Sequence, residues 1–513
     1  MTRASTRRAV AALCAATGAV AVAACGAAAP PTSPAPVPPG LERFYAQQLA
    51  WGPCDSFAPT PEDAPLYADG SLQCARLEVP LDYAAPGGRT AQIAVLRHRT
   101  DDPRRIGSLV LNPGGPGGSG TQAAAAMSRG LGDGPFDVVG FDPRGIGAST
   151  PKLGCRTREE ERADRAETDR SAEGVEAAEQ EVRDFVAKCV QRSGGVDVLA
   201  NSGTRDVARD LDVLRAALGD RKLTYLGYSY GTFLGSTYAE LFPGNVRAMI
   251  LDGAVDPAQD SDAEAVDQQA GFQHAFEVYA ADCAKAATCP LGTDPAAATA
   301  AFQALSRPLL HAPVPAGDGR TLSYGDTITA VIASLYAPSR WPALTAGLAE
   351  LRTGSGARLL AIADQYYELP TDVLTIVRCA DDDRDTDRAA AADLAARARA
   401  AAPFADPGTP VVGALGPCEL WPAPPTSNRH VPHAAGLPTV LVVSTTGDPA
   451  TPYTAGVALA DALQARLLTV EGTQHGAVFE GWSCVDSVAV AYLVDLTLPA
   501  PGTRCSTTQE VTK

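Results

Sequence analysis

Apolar side chains along this chain fall into two rhythms, and the places where one gives way to the other lay out the fold. Residues 74–80 and 91–98 read as two strands joined through Pro86-Gly87-Gly88, while Ser108–Leu111 and Phe136–Gly140 are short apolar runs of the kind that bury both faces. From Thr204 the spacing changes. Val207, Leu211, Leu214 and Leu218 recur at helical intervals, with Thr204 as the expected N-cap and Asp206 in the first turn. That helix leads into a strand at Leu223–Leu226, a helix-compatible stretch from Thr232 to Leu241, and a strand at Val246–Leu251; strands return at Pro438–Ser444 and Leu467–Val470. Between Asp256 and about His430 the strand signal nearly disappears, replaced by alanine-rich helical stretches at Ala263–Ala281, Leu322–Tyr336 and Trp341–Leu351. Strands alternating with helices at both ends predict an α/β chain with a mostly parallel central sheet flanked by helices. The middle stretch predicts an inserted helical cap.

Composition sharpens this picture at the ends of the chain. With 513 residues, 45% of them hydrophobic, the chain exceeds one ordinary domain and buries a large core. Its formal charge of -17, with no Lys/Arg cluster beyond the first few residues, argues against nucleic acid as a partner, because phosphates demand a basic face. Residues 1–25 read as an export signal: Arg3, Arg7 and Arg8 precede an apolar stretch, Ala9–Ala23, too short to span a bilayer. Its end, Val22-Ala23-Ala24-Cys25-Gly26, resembles a bacterial lipobox, which makes Cys25 the expected site of lipidation, with valine where leucine is usual; ordinary cleavage after Ala-x-Ala is the alternative. Residues 26–40 hold six prolines and predict an extended tether. The remaining divisions are a first core part at 41–256, the cap at 257–430, a second core part at 431–507 and a tail at 508–513. The expected location is the outer side of the cytoplasmic membrane as an envelope lipoprotein, or the medium.

Twelve cysteines, less Cys14 in the signal and Cys25, leave ten, an even number in an exported chain. Sequence neighbours suggest Cys54 with Cys74, Cys155 with Cys189, Cys283 with Cys289, Cys379 with Cys418 and Cys484 with Cys505, although sequence does not fix connectivity. No Cys-x-x-Cys occurs and the six histidines are not at ligand spacing beside the cysteines, so no metal is expected.

The chemistry centres on Gly227-Tyr228-Ser229-Tyr230-Gly231, between an apolar strand and a helix. A serine at such a turn, flanked by glycines because a Cβ would collide with neighbouring backbone, is a nucleophile elbow. A serine hydroxyl is a weak nucleophile until an imidazole takes its proton and a carboxylate fixes that imidazole's tautomer. Asp448 and His475 each follow a strand end, in Gly447-Asp448-Pro449 and Gln474-His475-Gly476, in the chain order Ser, acid, His. The rival role for Asp448 is a helix cap beside Pro449 and Pro452, and Asp486, Asp252 or Asp256 are the alternative acids. For an oxyanion hole the Tyr230 amide is one expected donor. The other is Gly115, or next Gly114, in the run Asn112–Gly120 after the third strand. That run lacks the Gly-Lys-Ser/Thr of a phosphate loop. No cofactor is expected.

These residues resemble a known family, the secreted or lipid-anchored tripeptidyl aminopeptidases of actinobacteria, α/β-hydrolase relatives of the prolyl aminopeptidases that include mycobacterial cell-envelope serine proteases. The resemblance spans about residues 41–507 and is carried by Asn112-Pro113-Gly114-Gly115-Pro116-Gly117, by Gly140-Phe141-Asp142-Pro143-Arg144-Gly145-Ile146-Gly147-Ala148-Ser149, by the elbow, and by the region of Asp448 and His475. It implies an α/β-hydrolase fold and a serine exopeptidase acting on peptides or proteins with free N-termini. Some members act as endoproteases or esterases.

Residues 257–378 carry seven Lys/Arg against thirteen Asp/Glu, an acidic stretch that attracts a peptide's α-ammonium group or merely forms a solvated face. Asp381, beside Cys379, is the candidate amine anchor. Two rivals stand beside the peptidase reading: a carboxylesterase or lipase on the same core, and a solute-binding lipoprotein without chemistry. The oligomeric state is left open.

Overall fold

The computed structural model describes residues 37–166, 174–367 and 371–507. The export signal, Cys25, most of the tether and the tail at 508–513 lie outside the described residues. The main sheet has nine strands: β1 Leu72–Pro80, β2 Thr90–His98, β3 Gly107–Asn112, β4 Phe136–Phe141, β5 Leu223–Tyr228 and β6 Val246–Asp252 come before the insertion. Within the insertion lies a two-stranded hairpin, β7 Val314–Gly317 and β8 Arg320–Leu322; β9 Leu441–Thr445, β10 Arg466–Glu471 and β11 Arg504–Ser506 complete the main sheet.

The sheet order is β1-β2-β4-β3-β5-β6-β9-β10-β11. β2 runs antiparallel to both β1 and β4, and the other pairs are parallel. β3 and β4 are buried at every residue, because helices cover both faces of a parallel sheet. The side-chain period of two divides the core accordingly: Val110, Val139, Tyr225 and Val442 pack on one face, and Leu109, Leu111, Val138, Leu226 and Val443 on the other. All parallel strands therefore present their C-terminal ends at one rim, where an open α/β sheet binds its ligands.

The helical insertion between β6 and β9 has its own core, in which Phe276 stacks on Phe404 with centroids 5.0 Å apart and Phe302 fills the side. Three features depart from the sequence reading. The hairpin β7–β8 interrupts the helices. A second helical excursion, including Val175–Ser193 after β4, packs Cys155, Val186 and Cys189 against Val373, Ile376 and Val377 of the helix Thr371–Asp381. Asp372 ties the two excursions by accepting the amides of Cys155 and Arg156 at 3.0 and 2.8 Å. Finally, Thr204 is not an N-cap. Gly203 holds that position without a side-chain bond, and the cap comes from afar, since Asp381 accepts the Thr204 amide at 2.8 Å.

The ten cysteines among the described residues pair as Cys54–Cys74, Cys155–Cys189, Cys283–Cys289, Cys379–Cys418 and Cys484–Cys505. Among the described residues no helix is long and apolar enough to cross a membrane.

Candidate active site

β5 ends at Tyr228, and Ser229 follows at φ 55°, ψ -125°, a left-handed conformation that an ordinary residue adopts only under constraint. The constraint is local. The Ser229 amide donates to the Asp252 carbonyl at 2.9 Å, and the Ser229 carbonyl accepts the Thr232 amide and hydroxyl at 2.8 and 2.6 Å. A Cβ on Gly227 would stand 2.4 Å from the Gly231 carbonyl oxygen, which is why the strand and the helix Tyr230–Leu241 can meet so tightly.

The loop after β3 lies against this turn. A Cβ on Gly114, at φ +90°, would stand 2.4 Å from the Tyr228 carbonyl oxygen and 2.9 Å from Ser229 Cβ. The Gly114 amide is already engaged, donating to Asn112 Oδ1 at 3.0 Å. Of the two glycines, Gly115 is the one whose amide makes no such bond, as is the Tyr230 amide in the first turn of its helix, where no intrahelical acceptor exists. The far end of the loop is anchored on the buried Asp142, which accepts Ser119 Oγ at 2.6 Å, the Thr121 amide at 3.1 Å and the Ala148 amide at 2.8 Å. Two residues on, Arg144 forms a buried bidentate pair with Asp210 at 2.6 and 2.8 Å. These contacts account for Asp142 and Arg144 in a motif that the sequence alone left without a role.

Past β9, Asp448 Oδ1 accepts the amides of Ala450 and Thr451, both at 2.9 Å, so its carboxylate does organise its own turn. The same carboxylate meets His475 Nδ1 at 2.9 and 3.0 Å. Thr451 Oγ1 stands 3.2 Å from that nitrogen, and the insertion contributes too: the Tyr336 carbonyl accepts the His475 amide at 2.9 Å and its ring meets the imidazole edge-on at 5.3 Å. With Nδ1 turned to Asp448, Nε2 is the nitrogen left to exchange a proton. Burial works against a charged imidazole, yet the Asp448 charge and hydrogen bond, together with Asp252, outweigh it and hold the His475 pKa above 6.5. No hydrogen bond joins the Ser229 hydroxyl to His475 in this structure; such contacts are often long in free enzymes. The alternative acids sit elsewhere. Asp486 accepts the Phe479 amide, Asp256 the Ala258 amide, and Asp252 lies behind the histidine loop.

Ser229 and His475 line one cavity of about 350 Å³, roofed by Tyr336, Tyr366 and Leu374 of the insertion. Its lining also includes three carboxylates. Glu264 and Asp382 share Arg429 at 2.7 and 2.9 Å, and Arg378 stands 3.5 Å from Glu264. Asp381 reaches the same wall but is 4% exposed, with its oxygens taken by the Thr204 amide and hydroxyl. Glu264, Arg429 and Thr451 were not singled out from sequence; nothing in their local patterns separates them from surface residues. Among the described residues no group of three or more His, Cys, Asp or Glu is placed to hold a metal ion.

An elbow serine, a carboxylate-bound histidine and a glycine loop with free amides, all at the C-terminal rim of a mostly parallel sheet, define a serine hydrolase. A model of the alpha/beta hydrolase fold matches residues 107–481, and the chain belongs to that family. It is 47% identical to the serine protease Hip1 of Mycobacterium tuberculosis over 489 residues, covering 90% of this chain and 92% of the relative. It is also 45% identical to carboxylesterase B of Mycobacterium tuberculosis, covering 93% and 95%, and 30% identical to the tripeptidyl aminopeptidase of Streptomyces lividans, covering 85% and 84%.

Proposed function

We propose that this chain is an exported serine peptidase that releases short peptides from free N-termini through an acyl-enzyme. The observation that carries the reading is one cavity lined by Ser229 and by His475, which Asp448 holds from behind, together with the carboxylates of Glu264, Asp381 and Asp382. Ser229 Oγ attacks the scissile carbonyl carbon as its proton passes to His475 Nε2. The carbonyl oxygen becomes an oxyanion held by the Tyr230 and Gly115 amides, and Asp448 keeps the imidazolium oriented. Collapse of the tetrahedral intermediate breaks the C–N bond, and His475 gives its proton to the departing amine. Water, deprotonated by His475, then attacks the acyl-enzyme, and the proton returns to Ser229 as the acid product leaves.

Glu264 and Asp382 support amine recognition as carboxylates in the cavity wall that an α-ammonium can approach, although Arg340, Arg378 and Arg429 line the same cavity and Arg429 already pairs both carboxylates. The tripeptidyl aminopeptidase relative supports the N-terminal reading, and the serine protease Hip1 relative supports peptide or protein substrates more broadly. Esterase activity is the second reading, favoured by the carboxylesterase relative and by the aromatic roof. Cys25 is the proposed lipid anchor, to be checked by palmitate labelling of the wild type and of Cys25→Ser.

Digestion of a free-N-terminal peptide library and its acetylated counterpart, read by mass spectrometry, tests the proposal. Short N-terminal fragments from the free peptides alone are expected. Equal cleavage of both sets, or turnover of butyrate esters with intact peptides, would replace the exopeptidase reading. Ser229→Ala is expected to lose about 10⁴-fold or more in kcat and all fluorophosphonate labelling while melting as the wild type does, since the hydroxyl serves chemistry rather than packing.

A further inference from the structure

The last residue of β6 joins the two halves of the site. Asp252 is fully buried. One carboxylate oxygen accepts the amides of Ala477 and Val478, two and three residues after His475, at 2.7 and 2.8 Å, while its main-chain carbonyl accepts the Ser229 amide at 2.9 Å. The other carboxylate oxygen is buried and has no hydrogen-bond partner. A tether for two amides needs only an acceptor, and an asparagine carbonyl provides one without burying a charge. The imidazole rests on the very next residue: a Cβ built on Gly253 would stand 3.0 Å from His475 Cε1 and 3.3 Å from Nδ1.

We propose that Asp252 is a positioning residue for the reaction, a second carboxylate that both fixes the His475 loop to the serine elbow and favours, through its charge, the imidazolium formed as Ser229 gives up its proton. Asp448 holds the ring by direct hydrogen bond; Asp252 acts from beneath, through the loop and through space. The titratable groups facing it are His475 from the loop after β10, Asp448 from the loop after β9, and Tyr228 from the end of β5, whose hydroxyl donates to the Val478 carbonyl at 2.9 Å; the charges of Glu480 and Asp486 also act on Tyr228. Burial, the largest influence, pushes Asp252 up to about 6 against the lowering effect of its two amide bonds and of His475. It is therefore ionised at the alkaline side of the histidine's own titration, where a base is needed.

The inference rests on the Ser229–His475 chemistry but not on peptide preference, so its test uses a probe that needs only the nucleophile. A fluorophosphonate ester reacts when Ser229 Oγ bonds to phosphorus, fluoride departs and the serine proton passes to His475. Its second-order inactivation rate is measured across pH for the full chain, Asp252→Asn and Asp252→Ser. The wild-type rate is expected to rise through an inflection above 6.5. In Asp252→Asn, which keeps the amide acceptor, the inflection is expected about half a pH unit lower and the plateau about tenfold lower, with a thermal midpoint close to wild type. Asp252→Ser is expected to show the same downward inflection. A wild-type inflection and plateau in Asp252→Asn would overturn the proposal, as would a lowered plateau with an unmoved inflection, the signature of a merely structural tether. Failure of both variants to fold would assign the charge to the fold and overturn it too.

Discussion

Replacing Asp381 separates two roles open to this carboxylate, helix cap and amine anchor. It accepts the Thr204 amide at 2.8 Å and the Thr204 hydroxyl at 2.5 Å, which places it at the N-terminus of the helix Thr204–Ala217. Burial, the dominant influence, pushes its pKa from 3.8 up to about 7, with the Thr204 bonds opposing. A carboxyl whose folded pKa lies above its unfolded value contributes stability that is complete below the unfolded pKa and drains away as pH rises to the folded one. A shift of about three units is worth about 4 kcal/mol to order of magnitude, of which about 2–3 kcal/mol is lost between about pH 5 and about pH 8. Asparagine keeps an acceptor for the Thr204 amide and never ionises. Asp381→Asn should therefore flatten the pH dependence of the thermal midpoint and be the more stable protein near pH 8, whereas Asp381→Ala loses the cap and should fall by about 0.5–2 kcal/mol near pH 5. Scanning fluorimetry at both pH values reads this, alongside KM for a free-N-terminal peptide and for an acetylated ester. A wild-type pH slope in Asp381→Asn would refute the burial argument. A rise in KM of more than about tenfold for the free peptide alone would make Asp381 the amine anchor rather than only a cap.

Two further outcomes follow from the geometry. Gly114→Ala places a methyl 2.4 Å from the Tyr228 carbonyl oxygen at a positive φ, pushing the loop off the elbow, so kcat should fall about 10²–10³-fold for esters and peptides alike, as expected when an oxyanion donor is misplaced; a loss confined to peptides would point to substrate binding instead. The acid limb of kcat/KM should lie above 6.5, because the base must be neutral and His475 holds its proton more tightly than a free imidazole. A limb below that value in a pH titration would show that burial outweighs the two carboxylates.

Legibility differed between the sheet and the insertion for a physical reason. β3, β5 and β6 are buried on both faces, so their apolar runs stand out from flanking glycines, and the elbow and the loop after β3 carry glycines that the close backbone approach requires. The histidine and its acid follow strand ends, where chain order alone suggests their meeting. In the insertion the helices Ser261–Cys283 and Trp341–Leu351 were evident within two residues, but their alanine-rich faces do not tell which residue turns to the cavity. Thr204 shows the limit most clearly. Its threonine-first pattern reads as a local cap, yet a carboxylate 177 positions away supplies the cap, and no local pattern encodes such a partner.

The same long-range wiring changes how variants of the insertion should be read. Tyr336 belongs to the insertion, yet its carbonyl accepts the His475 amide and its ring abuts the imidazole, while Asp372 on the helix that bears Asp381 is bonded to the excursion after β4. A segment that only sorted substrates would alter KM or selectivity and leave the chemical step alone. Here the roof of the cavity is also part of the support of the imidazole, so a change that shifts Tyr336 should lower kcat for every substrate, small esters included. Selectivity and catalysis are therefore expected to be coupled through Tyr336, and a substitution at Glu264 or Asp382 that leaves Tyr336 in place is the cleaner probe of substrate recognition.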